Sequence, residues 1–285
     1  MIIENQRSFK VKRRKIMITF RPNNHALRFM LYALAITLLT ACSNIGENER
    51  YIYVPPTETT HNVLIEDFTG QRCVNCPTAT QKIKELEAEY GDRIIAVAIH
   101  CGPFAHRSTM SSPLLPLGTE TGDEYYRHWN IEAQPAVAVN RLGTMIYNTN
   151  MYATAVRTCI AMTTTLNLDA TCKYDEGSRK LDVTIDANTA QTVTGKLEVW
   201  LVEDNITETQ LMPDGSANQN YVHNHVFRKS ITNDIFGDPI TVNSNKTATT
   251  TYSTTLDSSW KRENLSVVAF ISDNTGVVQV IKSSL

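Results

Sequence analysis

The chain has 285 residues, 42% of them hydrophobic and 20% charged, which is enough for two folded domains beyond any targeting segment. Its 27 Lys and Arg stand against 29 Asp and Glu, a formal net charge of −2. That balance offers no basic surplus for a nucleic-acid partner.

The chain begins with a leader. Lys10, Lys12, Arg13, Arg14, Lys15, Arg21 and Arg28 precede an apolar run from Phe29 to Ala41. The run is too short to span a bilayer and has the length of a signal-peptide core. It ends in Leu39-Thr40-Ala41-Cys42, which resembles the bacterial lipobox. That resemblance implies a lipoprotein signal peptide over residues 1–41 and diacylglycerol on the Cys42 sulfur. A plain secretory signal with a coincidental cysteine is the alternative, and either Met1 or Met17 serves as the start. Ser43 follows Cys42, where an aspartate would suggest retention at an inner membrane. By resemblance to Gram-negative lipoproteins, the expected location is the outer membrane, on its periplasmic or outer face. Losing residues 1–41 removes eight Lys/Arg and one Glu, leaving a mature net charge of about −9.

Residues 42–60, with Pro55-Pro56 and no amphipathic period, read as the lipidated cysteine and a tether. Val63 to Phe68 is a strand, and it leads into Cys73-Val74-Asn75-Cys76-Pro77. Two cysteines three residues apart at a helix start lie one turn apart, close enough for a disulfide. Backbone N–H groups there stabilise an anion, and Arg72 pushes the same way. A thiol of pKa ~8.5 is roughly 3% ionised at pH 7, whereas one lowered to ~7 is about half ionised. The motif is therefore redox first and metal second. The following helix stacks Cys76, Ala79, Ile83, Leu86 and Tyr90 on one stripe, with Pro77 in its first turn and Gly91 at its C-cap. Ile94 to Ile99 is an apolar run suited to a strand buried on both faces, so strand, helix and strand make a parallel βαβ unit.

Further on, a short helix is expected around Gly122–Trp129, then a strand over Pro135–Arg141. Leu142-Gly143 turns that strand into a hairpin with Met145-Ile146-Tyr147. Residues 150–164 read as a helix with Met151, Ala155, Cys159 and Met162 on one side. From Leu166 the period changes to two. Leu181, Val183 and Ile185 alternate with polar residues, and Leu197, Val199 and Leu201 alternate with Lys196, Glu198 and Trp200. Asn274-Thr275-Gly276 joins two late strands. The reading is an α/β domain over 61–165 followed by an all-β, immunoglobulin-like sandwich over 166–285.

Six cysteines occur. With Cys42 assigned to lipid and Cys73 to Cys76, Cys101, Cys159 and Cys172 remain, so at least one is free or intermolecular. Cys159–Cys172 is one candidate bridge. His223 and His225 would share a face on a strand, but no third ligand lies near them in sequence, and no metal is expected. No cofactor is expected either. His100 and His106 read as ordinary loop residues, and Tyr125, Tyr126 and Trp129 as core packing.

The order from residue 63 to about 164 resembles the thioredoxin family. Asp67 stands six residues before Cys73, where that family keeps a buried strand aspartate, and Phe68 follows it. Pro135 opens the third strand, where the family keeps a cis-proline facing the disulfide. Arg72 departs from the usual tryptophan, and Gln134 from the usual small or β-branched residue. The lipobox, Thr69-Gly70-Gln71-Arg72-Cys73-Val74-Asn75-Cys76-Pro77 and the β-rich C-terminal half together resemble the Omp28-related outer-membrane lipoproteins of Bacteroidetes over about 43–285.

The thioredoxin resemblance implies thiol–disulfide exchange with protein substrates. Cys73 would attack, Cys76 would resolve the mixed disulfide, Asp67 would accept the Cys76 proton, and Pro135 would present backbone to an extended substrate. Cys101, at the end of the second strand, could be a third redox thiol or simply a small filler. The lipoprotein resemblance implies the alternative, a non-catalytic surface receptor or adhesin that uses this fold as scaffold.

Overall fold

The computed structural model describes residues 58–107 and 114–285. The leader, Cys42 and most of the tether lie outside the described residues. The strands are β1 (Thr59–Thr60), β2 (Val63–Thr69), β3 (Ile94–His100), β4 (Ala136–Val139), β5 (Thr163–Thr164), β6 (Leu166–Asp175), β7 (Lys180–Thr189) and β8 (Val193–Glu203). They continue as β9 (Ile206–Leu211), β10 (Ala217–His223), β11 (Val226–Ser230), β12 (Asp238–Val242), β13 (Thr247–Thr255), β14 (Leu265–Asp273) and β15 (Gly276–Ser284). Among the described residues, which are mostly β, the α-helices are α1 (Cys76–Tyr90), α2 (Glu120–His128) and α3 (Tyr152–Ile160).

The main sheet has eight strands in the order β15-β14-β8-β11-β3-β2-β4, with β12 also paired to β8. β2 and β3 run parallel from Val63↔Ile94 to Thr69↔His100, and β4 lies antiparallel to β2. These pairings follow from sequence, because every residue of β2 is buried and β3 is nearly continuous in apolar side chains. A smaller sheet, β13-β7-β6, stacks on the β8–β14 half.

Three layers of core result. Leu64, Phe68, Val97, Tyr125, Trp200, Phe227 and Phe270 fill one face of the main sheet, beneath α2. On the opposite face, Val63, Ile65, Ile83, Leu86, Tyr152 and Val156 pack α1 and α3 against β2–β4. Beside them, Leu181, Val183, Ile185, Val199, Leu201 and Val267 fill the space between the two sheets.

Strands from both sides of residues 165/166 share the main sheet, and residues 55–285 cluster as one compact unit. The junction is the parallel pairing of β11 with β3, where Val226 lies beside Ala98 and Ala98 N donates to the His225 carbonyl at 2.8 Å.

Several local expectations change for related reasons. β8 alternates in sequence, yet Glu198 and Trp200 are buried, because the face expected to meet water meets the core under α2. The helix expected at 150–164 spans only 152–160. It buries Tyr152, Val156 and Cys159 and leaves Met151 50% and Met162 40% exposed. The hairpin expected after Pro135 reduces to one bridge, Val137↔Ile146. Cys159 and Cys172 are both free thiols, as is Cys101, so the candidate bridge does not form.

Candidate functional site

Cys73 and Cys76 are joined as a disulfide, with Cα atoms 5.4 Å apart. Cys76 opens α1 with Pro77 behind it, and the helix carries no side-chain N-cap. The turn is held by backbone bonds, Cys73 N to Gly70 O at 3.0 Å and Cys76 N to Cys73 O at 3.3 Å. Arg72 N donates to Phe104 O at 3.0 Å. Gly70 permits this approach, because a Cβ there would sit 2.5 Å from the Phe104 carbonyl. Arg72 itself is exposed beside the motif, whereas Cys73 is only 3% exposed.

Asp67 lies near the end of β2, opposite Ala98 and Val137, and is buried. Its Oδ1 has no hydrogen-bond partner, and burial pushes its pKa from 3.8 up to about 7. The Gln134–Pro135 peptide bond is cis. Gln134, the residue that departs from the thioredoxin pattern, ties two strand ends together. Its Nε2 donates to Thr69 O at 2.8 Å and to Cys101 O at 3.2 Å. Cys101 is wholly buried, and burial pushes its thiol far above the usual range, which suits a filler better than a third redox thiol.

A hairpin from the C-terminal half supplies the rest of the site. Gln210 on β9 is buried, and its Nε2 donates to Cys73 O at 3.0 Å. The next residue, Leu211, donates its N–H to Gln71 O at 2.9 Å. Nothing in the sequence around Gln210 marks it, since a lone glutamine in a Thr/Glu-rich strand reads as surface.

His223 and His225 do not present one strand face. β10 ends at His223, and His225 sits at φ +56°, so the chain turns between them. His223 packs against His100, ring centroids 5.3 Å apart. His225 pairs instead with Glu87 at 3.1 Å and Asp204 at 3.0 Å. Burial works against its charge, but the bonds to Asp204 and Glu87 outweigh it and lift the imidazole to about 9. His100 is no loop residue; it ends β3 and is buried.

Beneath α2 lies a second polar cluster. Arg141 forms ion pairs with Glu66, at 2.9 Å, and with Glu198. Its guanidinium also lies over Phe270, 4.8 Å from the ring centroid. The cluster joins β2 to β8 and explains why Glu198 can be buried.

Fold and site together define a β-rich protein in which a helix-borne disulfide and a buried carboxyl sit at one end of a mixed sheet. The chain belongs to the family of outer membrane protein Omp28, whose sequence model matches residues 122–285. Its location is accordingly the outer membrane. The match begins after the Cys73–Cys76 turn and includes the hairpin that covers it. Among solved structures, HBP35 of Porphyromonas gingivalis is similar at a TM-score of 0.60 and 16% identity, over 79% of this chain and 76% of that one. A domain of the outer membrane lipoprotein Omp28 from the same organism aligns at 24% identity over 43% of this chain and 88% of its own, with a TM-score of 0.32. A protein from Agrobacterium tumefaciens aligns at 15% identity over 80% of this chain and 96% of its own, with a TM-score of 0.45. No curated protein matches the chain. Among the described residues, no helix is long and apolar enough to cross a membrane.

Proposed function

We propose that the protein exchanges disulfides with protein substrates, holding its body at the outer membrane through lipid on Cys42. The carrying observation is the placement of Asp67, a buried carboxyl of pKa about 7, against the same cavity as Cys76. A group that titrates near neutral pH suits proton exchange with a thiol of comparable pKa. A thioredoxin-like reading of residues 61–165 is supported by the parallel β2–β3 pair around α1 and the antiparallel β4. In this reading Cys73 attacks, Cys76 resolves, Asp67 takes the proton and Pro135 lies where an extended substrate would run. The anchor needs no spanning helix, because the acyl chains supply the apolar burial.

The burial of Cys73 favours a second reading, in which the disulfide is structural and the protein binds a surface ligand without turnover. Redox titration separates the two. Exchange requires that Cys73–Cys76 be reducible at potentials near thioredoxin's, roughly −270 mV, and that Cys73→Ser abolish insulin reduction. A bridge that resists mild reductant, with insulin reduction absent in the parent protein, would leave the binding reading standing.

A further inference from the structure

Cys73 is buried, although its neighbours Arg72, Val74 and Asn75 are exposed. A disulfide opens when a thiolate meets one of its sulfurs, and a cysteine held away from solvent does not react. Exchange at this turn therefore requires a neighbouring element to move.

The β9–β10 hairpin lies against the turn through polar contacts. Gln210 Nε2 donates to Cys73 O at 3.0 Å and to Gly70 O at 3.4 Å, and Leu211 N donates to Gln71 O at 2.9 Å. Gln210 and Tyr221 face Cys76, Pro77 and Thr80 across a small cavity at the start of α1. Glu208 Oε2 accepts from Leu115 N at 2.7 Å. The apolar footing is slight. Of the hairpin's strand residues Ile206, Gln210 and His223 are buried, and only Ile206 is aliphatic, packed with Leu117 and Val226. β9 and β10 also form a sheet of their own, outside the eight-stranded one. An element with few buried apolar contacts opens locally at a free energy well below that of global unfolding.

The two ends of the hairpin meet at one place. The chain enters through Asn205 at φ +59° and leaves through His225 at φ +56°. Asn205 N donates to Asn224 Oδ1 at 3.0 Å, and His225 N donates to Asp204 Oδ1 at 2.6 Å, so the two roots are tied to each other. Rotation about these residues carries β9 and β10 away as one body and leaves the main sheet whole, the arrangement of a hinge at element ends.

We propose that the β9–β10 hairpin is a strap that gates the disulfide: closed, it shuts Cys73 away, and lifted, it admits a thiolate. The proposal rests on the exchange reading above and reconciles it with the burial of Cys73. In the lifted state a thiolate attacks the Cys73 sulfur and the Cys73–Cys76 bond breaks. Its electron pair leaves on the Cys76 sulfur, which solvent protonates. If the attacker is a dithiol, its second thiolate then attacks the mixed disulfide and expels Cys73 as thiolate. The dithiol is oxidised and the protein disulfide is reduced, two electrons each. Gln210 is a positioning residue, since it acts through the turn it holds.

The test follows reduction of Cys73–Cys76 by dithiothreitol in the mature full chain, alongside amide exchange at Leu211, whose N–H is released when the strap lifts. As dithiothreitol is raised, the reduction rate should level off at the opening rate read at Leu211, because attack then outruns reclosing. Below that plateau, Gln210→Ala should speed Leu211 exchange and disulfide reduction by the same factor, about tenfold. A parent reduction rate that climbs past the opening rate at Leu211 overturns the proposal, and this measurement does not depend on the variant folding. Faster Leu211 exchange in Gln210→Ala with unchanged reduction overturns it too. If the parent shows the plateau but reduces no insulin, the exchange reading falls and the gated disulfide stands. If it reduces insulin and its disulfide is attacked faster than the strap lifts, the gate alone falls.

Discussion

Gln210 Nε2 donates to the Cys73 carbonyl at 3.0 Å, so a side chain 137 positions downstream holds the turn that carries the disulfide. Removing it leaves that carbonyl and a weaker acceptor, Gly70 O at 3.4 Å, without their side-chain donor. Gln210→Ala should destabilise the protein by about 1–3 kcal/mol, measured by urea unfolding. In the reduced protein it should also speed alkylation at Cys73, because the hairpin no longer grips the turn. A variant with parental stability and parental alkylation would mean the contact is incidental.

Asp67 gives stability an inverted pH dependence. Its folded pKa, about 7, lies above the unfolded 3.8, so the folded state binds the proton more tightly. The contribution is fully present below 3.8 and is lost as pH rises through 7, the reverse of an ion-paired carboxylate. Asp67→Asn lacks this loss and should be more stable than the parent above pH 7, by at most about 4 kcal/mol. The advantage should vanish below about pH 4. Equal unfolding midpoints of the two proteins at pH 8 would contradict the raised pKa.

Much of the front of this site was legible in the sequence, and its back was not. Cys73 and Cys76 could be paired from their spacing alone, whereas Asp67 and Pro135 stand out only through the thioredoxin resemblance. Gln210 and His223 reach the site through pairings between distant segments, with no short-range trace. The sharing of one main sheet by strands from both predicted segments left no short-range trace either. β8 alternates like a half-exposed strand, and only the pairing of Glu198 with Arg141, 57 residues away, makes burial of its polar face tolerable. The His223-x-His225 pair misled because a strand assumption puts both rings on one side, whereas a positive φ at His225 ends the strand first.

His225 fastens the end of the hairpin to α1 through Glu87, and to Asp204. Its folded pKa, about 9, lies above 6.5. The stabilisation is therefore complete below pH 6.5 and disappears as pH rises through 9. Amide exchange in β10 should accelerate over that window in the parent. His225→Gln should exchange fast at every pH, and a parent profile flat from 6 to 10 would rule the clasp out.

The three remaining thiols should separate by accessibility. Cys101 and Cys159 are buried, and Cys172 is only partly covered. Burial raises all three thiols, Cys159 to about 11. Brief alkylation of the native protein at pH 8, read by peptide mass spectrometry, should mark Cys172 before Cys159 and leave Cys101 untouched. Labelling of Cys101 first would show that the loop after β3 opens in solution.

Arg141 should be the most costly single residue to lose. It neutralises Glu66 and Glu198, both almost completely buried, and lies over Phe270 and Trp200. Arg141→Met keeps much of the side-chain volume but strands two carboxylates in the core, where breaking a buried pair typically costs about 3–5 kcal/mol. The triple change Arg141→Met, Glu66→Gln, Glu198→Gln removes the stranded charge and should recover part of that loss. Because the network bridges β2 and β8, the single variant should weaken both halves of the main sheet in one cooperative transition. If calorimetry of Arg141→Met instead resolved two separate transitions, the halves would be independent domains after all, linked by contact and not by a common core.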